Sequence, residues 1–195
     1  LSNTLLQSVF LDMFGDPVTN PRKLPVVEIQ DVTQSLDSKR IPVEASIRRM
    51  RKGGYPYYGA SGIVDYIDGY LFDEETLLVA EDGANLLTRS TPIAFIASGK
   101  YWANNHAHVL RVLENVNIQY LRYVLNATNL KSIVTGTAQP KLTAGNLGAL
   151  KIMLPTICEQ DAFSHLVQKH DRTYNYQIES SRQSEQLFQT LLHRA

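Results

Sequence analysis

Cysteine is almost missing from this sequence: Cys158 is the single one in 195 residues. One thiol cannot build an intramolecular disulfide framework, and it cannot supply the several sulfur ligands of a cysteine-based metal site. Both of these ways of stabilising a small domain are therefore excluded. Such low cysteine usage is typical of a reducing compartment, so we expect a cytoplasmic protein.

Long hydrophobic runs are lacking as well. No apolar stretch approaches the roughly 18 residues that a membrane-spanning helix needs, and the N-terminus has no basic segment followed by an apolar core. We therefore expect neither a membrane span nor a signal peptide.

An excess of charge of either sign is also absent, since 19 Lys and Arg balance 19 Asp and Glu. This balance argues against a protein that coats nucleic acid by bulk attraction. The distribution is nevertheless uneven, because basic side chains crowd residues 39–52 and acidic side chains crowd residues 65–82. A local basic patch of this kind can still contact phosphate groups.

Glycine and proline do not occur after Pro155. Thr156 has the character of an N-cap and Glu159 follows three residues later, which is the capping-box spacing. The sequence therefore predicts one unbroken helix over residues 155–195, roughly 60 Å long at ~1.5 Å per residue. We expect it to project as a spacer or docking arm; the alternative is an ordinary amphipathic helix packed on its own domain.

Positions of this helix that step by four and three form a coiled-coil seam with apolar ends and a polar middle around Gln177 and Ser181. A second helix is predicted over residues 3–14, ended by Gly15 and Pro17. The residues expected at a subunit interface are Leu6, Phe10, Met13, Phe163, Val167, Tyr174, Phe188 and Leu191.

The two helices also resemble each other in sequence. Residues 5–10 align with residues 187–192, 182 positions later, with identical Leu and Gln and conservative pairs elsewhere. Chance similarity between two amphipathic helices is the alternative explanation. If the match is a true repeat, the first helix is the end of a preceding unit's helix.

Between these helices the pattern predicts a strand-rich α/β body of the α+β-like kind. A helix is expected at residues 117–127, and residues 30–40 and 98–106 are expected to be loops. The predicted strands are residues 26–29, 63–67, 76–80, 93–97, 108–112 and 150–154. We divide the chain into the end of a preceding helix (1–16), the body (17–154) and the spacer helix (155–195).

Five segments of the body stand in a characteristic order and spacing. They are Tyr-Pro-Tyr-Tyr-Gly-Ala-Ser-Gly-Ile (55–63), Leu-Leu-Val-Ala-Glu-Asp-Gly-Ala (77–84), His-Ala-His-Val-Leu (106–110), Thr-Gly-Thr-Ala-Gln-Pro-Lys-Leu (135–142) and Ile-Met-Leu-Pro (152–155) followed by Glu-Gln (159–160). From residue 24 to its end, the chain resembles a target-recognition domain of the specificity subunit of type I restriction–modification enzymes.

The resemblance implies a role in a larger complex. Such subunits carry two recognition domains in tandem, each reading half of a split double-stranded DNA site, and their long helices pack antiparallel. Methyltransferase subunits dock on the helices and supply S-adenosylmethionine, and restriction subunits with ATP and Mg²⁺ complete the complex. This chain has a single recognition domain, so it resembles a half subunit or a fragment, and two chains could pair as a homodimer through the long helix.

The residues themselves indicate no chemistry of this kind in the chain. An Asn-Pro-Pro-aromatic run for amino methylation and a Gly-rich cofactor loop after a strand are both missing. We therefore expect no cofactor in this chain. Two alternatives stay open: a small nuclease whose acidic turn at residues 73–82 binds a metal ion, although the accompanying Glu-x-Lys is missing, and a coiled-coil adaptor.

Candidate DNA contacts fall mainly in three polar segments: the basic loop before Gly53, residues 98–106 and residues 135–143. Asn and Gln can pair with adenine, Lys with guanine, and basic side chains with phosphate. The candidates are Arg48, Arg49, Arg51, Lys52, Tyr58, Arg89, Lys100, Tyr101, Asn104, Asn105, Thr137, Gln139 and Lys141.

Several residues near these candidates are expected to have structural roles. Tyr57 and Tyr58 lie at strand spacing, where aromatic residues usually belong to a core, and Trp102 is read in the same way. His106 and His108 are two residues apart, as zinc ligands can be, but no further Cys or His joins them, so structural roles are expected.

Overall fold

The computed structural model describes residues 3–136 and 138–192, without the side chains of residues 3, 185, 187, 188, 191 and 192. The strands are β1 (Val26–Glu28), β2 (Thr33–Ser35), β3 (Tyr55–Gly59), β4 (Gly62–Ile67), β5 (Phe72–Asp73), β6 (Thr76–Ala80), β7 (Ala94–Ala97), β8 (Lys100–Ala103), β9 (Ala107–Val112) and β10 (Lys151–Met153). The helices are α1 (Asn3–Phe14), α2 (Ile29–Val32), α3 (Ala45–Met50), α4 (Asn85–Thr88), α5 (Ile118–Ala127), α6 (Ala144–Gly148) and α7 (Ile157–Leu192), with a 3₁₀ turn at Asp37–Lys39.

The centre of the fold is an antiparallel sheet with the strand order β2-β9-β6-β7. All five residues of β6 are buried. Because side chains alternate along a strand, Leu77 and Val79 enter one hydrophobic core while Leu78 enters another on the opposite face. A continuous apolar run predicted this strand correctly, since burial on both faces removes the polar alternation.

A second sheet, ordered β4-β3-β8-β5, packs over one face of the central sheet. β3 and β4 form a hairpin, whereas β3 and β8 run parallel. The rings of Phe72 and Tyr101 stack with centroids 5.0 Å apart, and the Tyr101 hydroxyl lies 2.5 Å from Thr76 Oγ1 on β6. Tyr57 and Trp102 are buried in a small third core with Ile67, so the structural reading of both aromatic residues is confirmed.

The other face of the central sheet is covered by helices. α5 has Asn117 as its N-cap, and this side chain accepts hydrogen bonds from two backbone N–H groups of the first turn. Phe10 on α1, Tyr120 and Tyr123 on α5 and Phe163 on α7 form an aromatic cluster with centroid separations of 4.8–6.4 Å. This cluster joins both terminal helices to the body.

The long helix α7 begins as the sequence predicts. Glu159 accepts from the Thr156 backbone N–H at 2.9 Å, and the Glu159 N–H reaches the Thr156 hydroxyl at 3.4 Å, which makes the reciprocal capping box. Phe163 and Val167 are buried on the body, whereas every described side chain from residue 172 to residue 184 is exposed. The first turns therefore pack on the domain and the rest projects beyond it. No helix in residues 3–136 and 138–192 is long and apolar enough to cross a membrane.

Two segments predicted as loops contain strands. β2 pairs with β9, so that Thr33 lies opposite Val112. β8 pairs with β3 on one side and β5 on the other. Both strands are short, and the partners of β2 and β8 lie far away along the chain, so local patterns do not reveal these strands.

Candidate functional site

Three loops meet beside the C-terminal end of β6 and the start of β9. The Glu81 backbone N–H donates to the His106 carbonyl at 2.9 Å, the Leu142 N–H donates to the Glu81 carbonyl at 2.8 Å, and the Gly83 N–H donates to the Pro140 carbonyl at 3.0 Å. Gly83 has φ +104°, the positive value expected for this turn. We call residues 81–84, 104–106 and 139–142 the three-loop platform. It brings together two of the polar segments that the sequence singled out.

Four polar side chains of the platform are exposed: Asn105, His106, Gln139 and Lys141. Asn104 is different, because its side chain is buried and its Oδ1 accepts the His106 backbone N–H at 2.8 Å. The prediction that Asn104 contacts DNA is therefore corrected: this residue shapes the loop from which its two neighbours project.

Two residues of the platform, Glu81 and Lys141, also belong to a network of charged groups that continues into the fold. Its five members, which we call the ionic network, are Asp37, Arg40, Glu81, His108 and Lys141. Nδ1 of His108 lies 2.6 Å from Asp37 Oδ2. Glu81 receives Arg40 Nη1 at 2.7 Å on one oxygen and Lys141 Nζ at 3.0 Å on the other. The network ties the platform to β9 and to the 3₁₀ turn.

The proton positions in the network follow from its acceptors. Nε2 of His108 lies 2.8 Å from the Leu142 carbonyl, which can only accept, so Nε2 carries a proton. Burial by itself lowers the pKa of His108, but the hydrogen bonds to Asp37 and Leu142 raise it above the ordinary value. Burial likewise opposes ionisation of Asp37 and Glu81, yet their hydrogen bonds to His108, Arg40 and Lys141 hold both carboxyl pKa values below the ordinary range.

The ligand atoms of Asp37, Glu81 and His108 lie within 4.8 Å of one another, which is close enough for a metal site. Arg40 and Lys141 already neutralise the carboxylates, however, and both ring nitrogens of His108 are engaged. Further cations would be repelled, so the donor set fits a salt-bridge network.

The acidic turn that suggested a nuclease is also neutralised in part. Glu74 receives two hydrogen bonds from Arg111, at 2.7 and 2.8 Å, and Asp73 lies 4.0 Å from Lys100 Nζ. The Arg111 hydrogen bond holds the pKa of Glu74 below its ordinary value. These contacts do not favour the metal-dependent alternative.

Most of the predicted basic patch is engaged within the fold. Arg48 lies 3.2 Å from Asp65, and its guanidinium stands 4.7 Å from the centre of the Tyr57 ring. Lys52 also bonds Asp65, and this hydrogen bond is the largest of the causes that lower the Asp65 pKa to about 2. Arg51 lies 2.8 Å from Asp68 and over the Trp102 ring. These cations hold α3 against the second sheet.

Arg49 differs from its basic neighbours. It lies on the last turn of α3, is exposed, and makes no ion pair with any residue that the structure describes. Among the four basic candidates in this segment, its guanidinium is therefore the one most accessible to a ligand.

Four other candidates make contacts within the fold, and only Tyr101 among them is fully buried. Tyr101 is completely buried, which corrects its prediction as a DNA contact, because its ring fills the core between the sheets. Tyr58 packs against Phe95 and Tyr101. Arg89 donates to the Thr128 carbonyl, and burial lowers its pKa. Lys100 stands over the Tyr70 ring with its ammonium 4.9 Å from the centroid. Thr137 lies outside the described residues.

The expected subunit interface is divided in the structure. Leu6, Phe10, Phe163 and Val167 are buried together in the core of the chain itself, so their prediction as partner contacts is corrected. The physical reason is that α1 and α5 already cover the start of α7. Met13 is half-buried beside the same core.

Farther along α7, Tyr174 stays 52% exposed and is available to a partner. The side chains of Phe188 and Leu191 lie outside the described part of the chain.

Sequence reasoning missed the ionic network. Its members come from four separate segments, and their spacing along the chain does not indicate that the fold brings them together. The one available signal was His108, a titratable residue that stands between the apolar residues Ala107 and Val109 of β9, since buried polar groups require partners.

Together, the strand-rich body, the polar platform and the projecting helix define a recognition domain with a helical arm. The sequence matches the family described as the type I restriction modification DNA specificity domain over residues 21–187. The chain belongs to this family.

Two curated relatives agree with this assignment. A protein of Haemophilus influenzae named as a type I restriction enzyme specificity subunit is 36% identical over 132 residues, which are 68% of this chain and 33% of the relative. The EcoprrI specificity subunit of Escherichia coli is 32% identical over 128 residues, 66% of this chain and 31% of the relative. The chain thus spans about a third of the length of these relatives.

Solved structures share the fold at lower identity. The S subunit of the type I restriction–modification system of M. genitalium has a TM-score of 0.61 and 16% identity over 77% of this chain and 40% of that chain. The HsdS subunit of Thermoanaerobacter tengcongensis has a TM-score of 0.58 and 15% identity, and the match covers 87% of this chain and 43% of that chain. A structure describing complex assembly of the type I R-M system has a TM-score of 0.65 and 14% identity, and the match covers 96% of this chain and 48% of that chain.

Proposed function

We propose that this chain reads a specific double-stranded DNA sequence as a recognition unit of a type I restriction–modification complex. Membership of the specificity-domain family supports the proposal. The observation that carries it at the residue level is the three-loop platform, which places Asn105, Gln139 and Lys141 together and exposed at one edge of the body.

The exposed groups match the chemistry of base edges and phosphates. An Asn or Gln amide presents one donor and one acceptor, which is the pattern that adenine offers in the major groove. Lys141 is half-exposed while it bonds Glu81, so its ammonium can also face a phosphate or guanine. Arg49 adds a free guanidinium from α3.

The chain acts by recognition and not by catalysis, and it holds no cofactor of its own. Methyltransferase subunits supply S-adenosylmethionine, and restriction subunits supply ATP and Mg²⁺ chemistry. Two findings support this division of labour: the relatives are named as specificity subunits, and basic side chains neutralise the carboxylates of Glu81 and Glu74.

The exposed part of α7 serves as the docking arm. Tyr174 and Ile178 are 52% and 50% exposed and lie four residues apart, on one side of the helix. We propose that they pack on a second long helix arranged antiparallel, from another copy of this chain, with methyltransferase subunits bound to the pair. A two-fold pair of this kind would read a symmetric split site.

The proposal is tested by purifying the chain with a cognate methyltransferase subunit and selecting bound duplexes from a randomised DNA pool. Recovery of a defined sequence by the complex is the expected result, and a symmetric split site would indicate two copies. A complex that binds DNA but enriches no sequence would overturn the proposal.

A further inference from the structure

Asp82 and His106 form a hydrogen-bonded pair of side chains at the surface of the platform. Neither side chain belongs to the ionic network. Nδ1 of His106 lies 2.7 Å from Asp82 Oδ2. The His106 side chain is 48% exposed, whereas that of Asp82 is 18% exposed. One member of the pair is therefore anchored in the platform and the other faces outward.

The backbone of His106 is fixed on both sides. Its N–H donates to the buried Asn104 Oδ1 at 2.8 Å, and its carbonyl accepts the Glu81 N–H at 2.9 Å. With the ring bonded to Asp82 as well, an exposed imidazole is held in one orientation. Such preorganisation is what a recognition contact requires, since little freedom is then lost on binding.

The carboxylate also determines which ring nitrogen is protonated. An ionised carboxylate can only accept, so the Nδ1 that faces Asp82 carries the proton. In the neutral imidazole, Nε2 is then a lone-pair acceptor. Carboxylates fix the tautomer of metal-binding histidines in the same way, which leaves the lone pair of the other ring nitrogen available.

An acceptor at Nε2 of His106 can bind only those groups of DNA that donate a hydrogen bond. In the major groove, the hydrogen-bond donors are the exocyclic amino groups of adenine N6 and cytosine N4. Phosphate oxygens are acceptors and offer nothing to a neutral Nε2. Asn105 and Gln139, on the same platform, are also side chains suited to base edges.

We infer that His106 is a base-reading residue, which accepts a hydrogen bond from the amino group of an adenine or cytosine, and that Asp82 is its positioning residue. This inference rests on the proposed function and adds a specificity determinant to it. It predicts that one base of the DNA site presents a hydrogen-bond donor to the protein.

The experiment compares His106→Ala with the wild-type chain, each in complex with the methyltransferase subunit, by selection from a randomised duplex pool. We expect the variant to lose about ten-fold preference at one base pair and to keep the rest of the site, because a single base contact is removed. His165→Ala is the matched control, since His165 is exposed on α7 away from the platform.

Asp82→Asn gives an independent readout. An Asn amide can donate to Nδ1, which moves the ring proton to Nε2 and turns the outward acceptor into a donor. The preference at the same base pair should therefore shift toward guanine or thymine, whose major-groove edges offer acceptors. A merely structural contact would not reverse a base preference, and this near-isosteric change keeps the inference testable if His106→Ala does not fold.

Two results would overturn the inference. One is an unchanged selected sequence in both variants. The other is a uniform loss of affinity with the same selected sequence, which would mark His106 as a phosphate contact. A wild-type complex that selects no sequence refutes the proposed function itself, so the two failures are distinguishable.

Discussion

His108 connects the chemistry of the ionic network to the stability of the fold. Its folded-state pKa is raised above the ordinary value of 6.5, so the folded protein retains a proton that the unfolded chain releases. The stabilisation is complete below about pH 6.5 and is lost as the pH rises through the folded-state value. Asp37 and Glu81 have lowered pKa values and act in the opposite sense, losing their stabilisation in acid.

We therefore expect the free energy of unfolding to fall on the alkaline side of neutrality, measured by denaturant titration from about pH 6 to about pH 10. His108→Gln should remove this alkaline fall, because the amide does not titrate. His165→Gln should retain it, since that side chain is exposed on α7. Parallel pH curves for the wild type and His108→Gln would contradict the account.

Arg48 and Arg49 are sequence neighbours with different roles. Arg48 bonds Asp65 and the Val43 carbonyl and covers the Tyr57 ring. We expect Arg48→Ala to cost about 1–3 kcal/mol of stability, because partly buried acceptors lose their donor. Arg49→Ala should change stability by less than about 0.5 kcal/mol. It should also weaken DNA binding and reduce the slope of log affinity against log salt concentration by about 1, because one phosphate contact is lost.

Thermal unfolding and salt-dependent DNA binding of the two variants distinguish these roles. Each variant serves as the control for the other, because the substitutions are identical and adjacent. A large loss of stability in Arg49→Ala, with unchanged DNA binding, would show that its position has been misjudged.

At the scale of elements, α1 is held by its aromatic face. Phe10 is 6% exposed and contacts Tyr123 and Phe163 with centroid distances of 5.5 Å. Phe10→Ala should destabilise the protein by about 3–5 kcal/mol, since it leaves a cavity among rings that cannot collapse. Leu11→Ala is the control, because Leu11 is 43% exposed on the same helix and should cost little. Equal effects in denaturant unfolding would refute the packing of α1 on the body.

Elements whose signal is local could be predicted from the sequence. The capping box at Thr156 and the unbroken helix after it, the buried run of β6 and the amphipathic α5 all carry their pattern in neighbouring residues. β2 and β8 could not be predicted in this way, because their strand character comes from remote pairing.

The candidate site shows the same division between local and tertiary information. Polarity identified Asn105, Gln139 and Lys141, which the fold brings to one surface. Polarity alone could not reveal that Asn104 and Tyr101 face inward, because the direction of a side chain within β8 and its following turn is set by β3 and β5. It also could not reveal that Asp65 and Asp68 engage the basic segment.

In the whole molecule, the proposed function assigns DNA reading to the body and docking to the arm. The arm exposes Tyr174 and Ile178 beyond the last buried turn of α7. We expect the double substitution Tyr174→Glu and Ile178→Glu to prevent pairing with a second helix without changing the melting temperature of the body, because burying charge at an interface is costly.

Sedimentation with and without the methyltransferase subunit measures this effect. Ser180→Glu is the control, since it places an added charge on a different side of α7 at another exposed position. Assembly that survives the double substitution would show that the arm does not dock through this face.

The central claim is that the three-loop platform determines which DNA sequence is bound. The most direct measurement is DNA-site selection by the methyltransferase complex containing Asn105→Ala or Gln139→Ala, with Asn175→Ala on the exposed arm as the control. We predict relaxed base preference at separate positions for the two platform variants and an unchanged site for the control. An identical selected sequence in all three complexes would contradict the account.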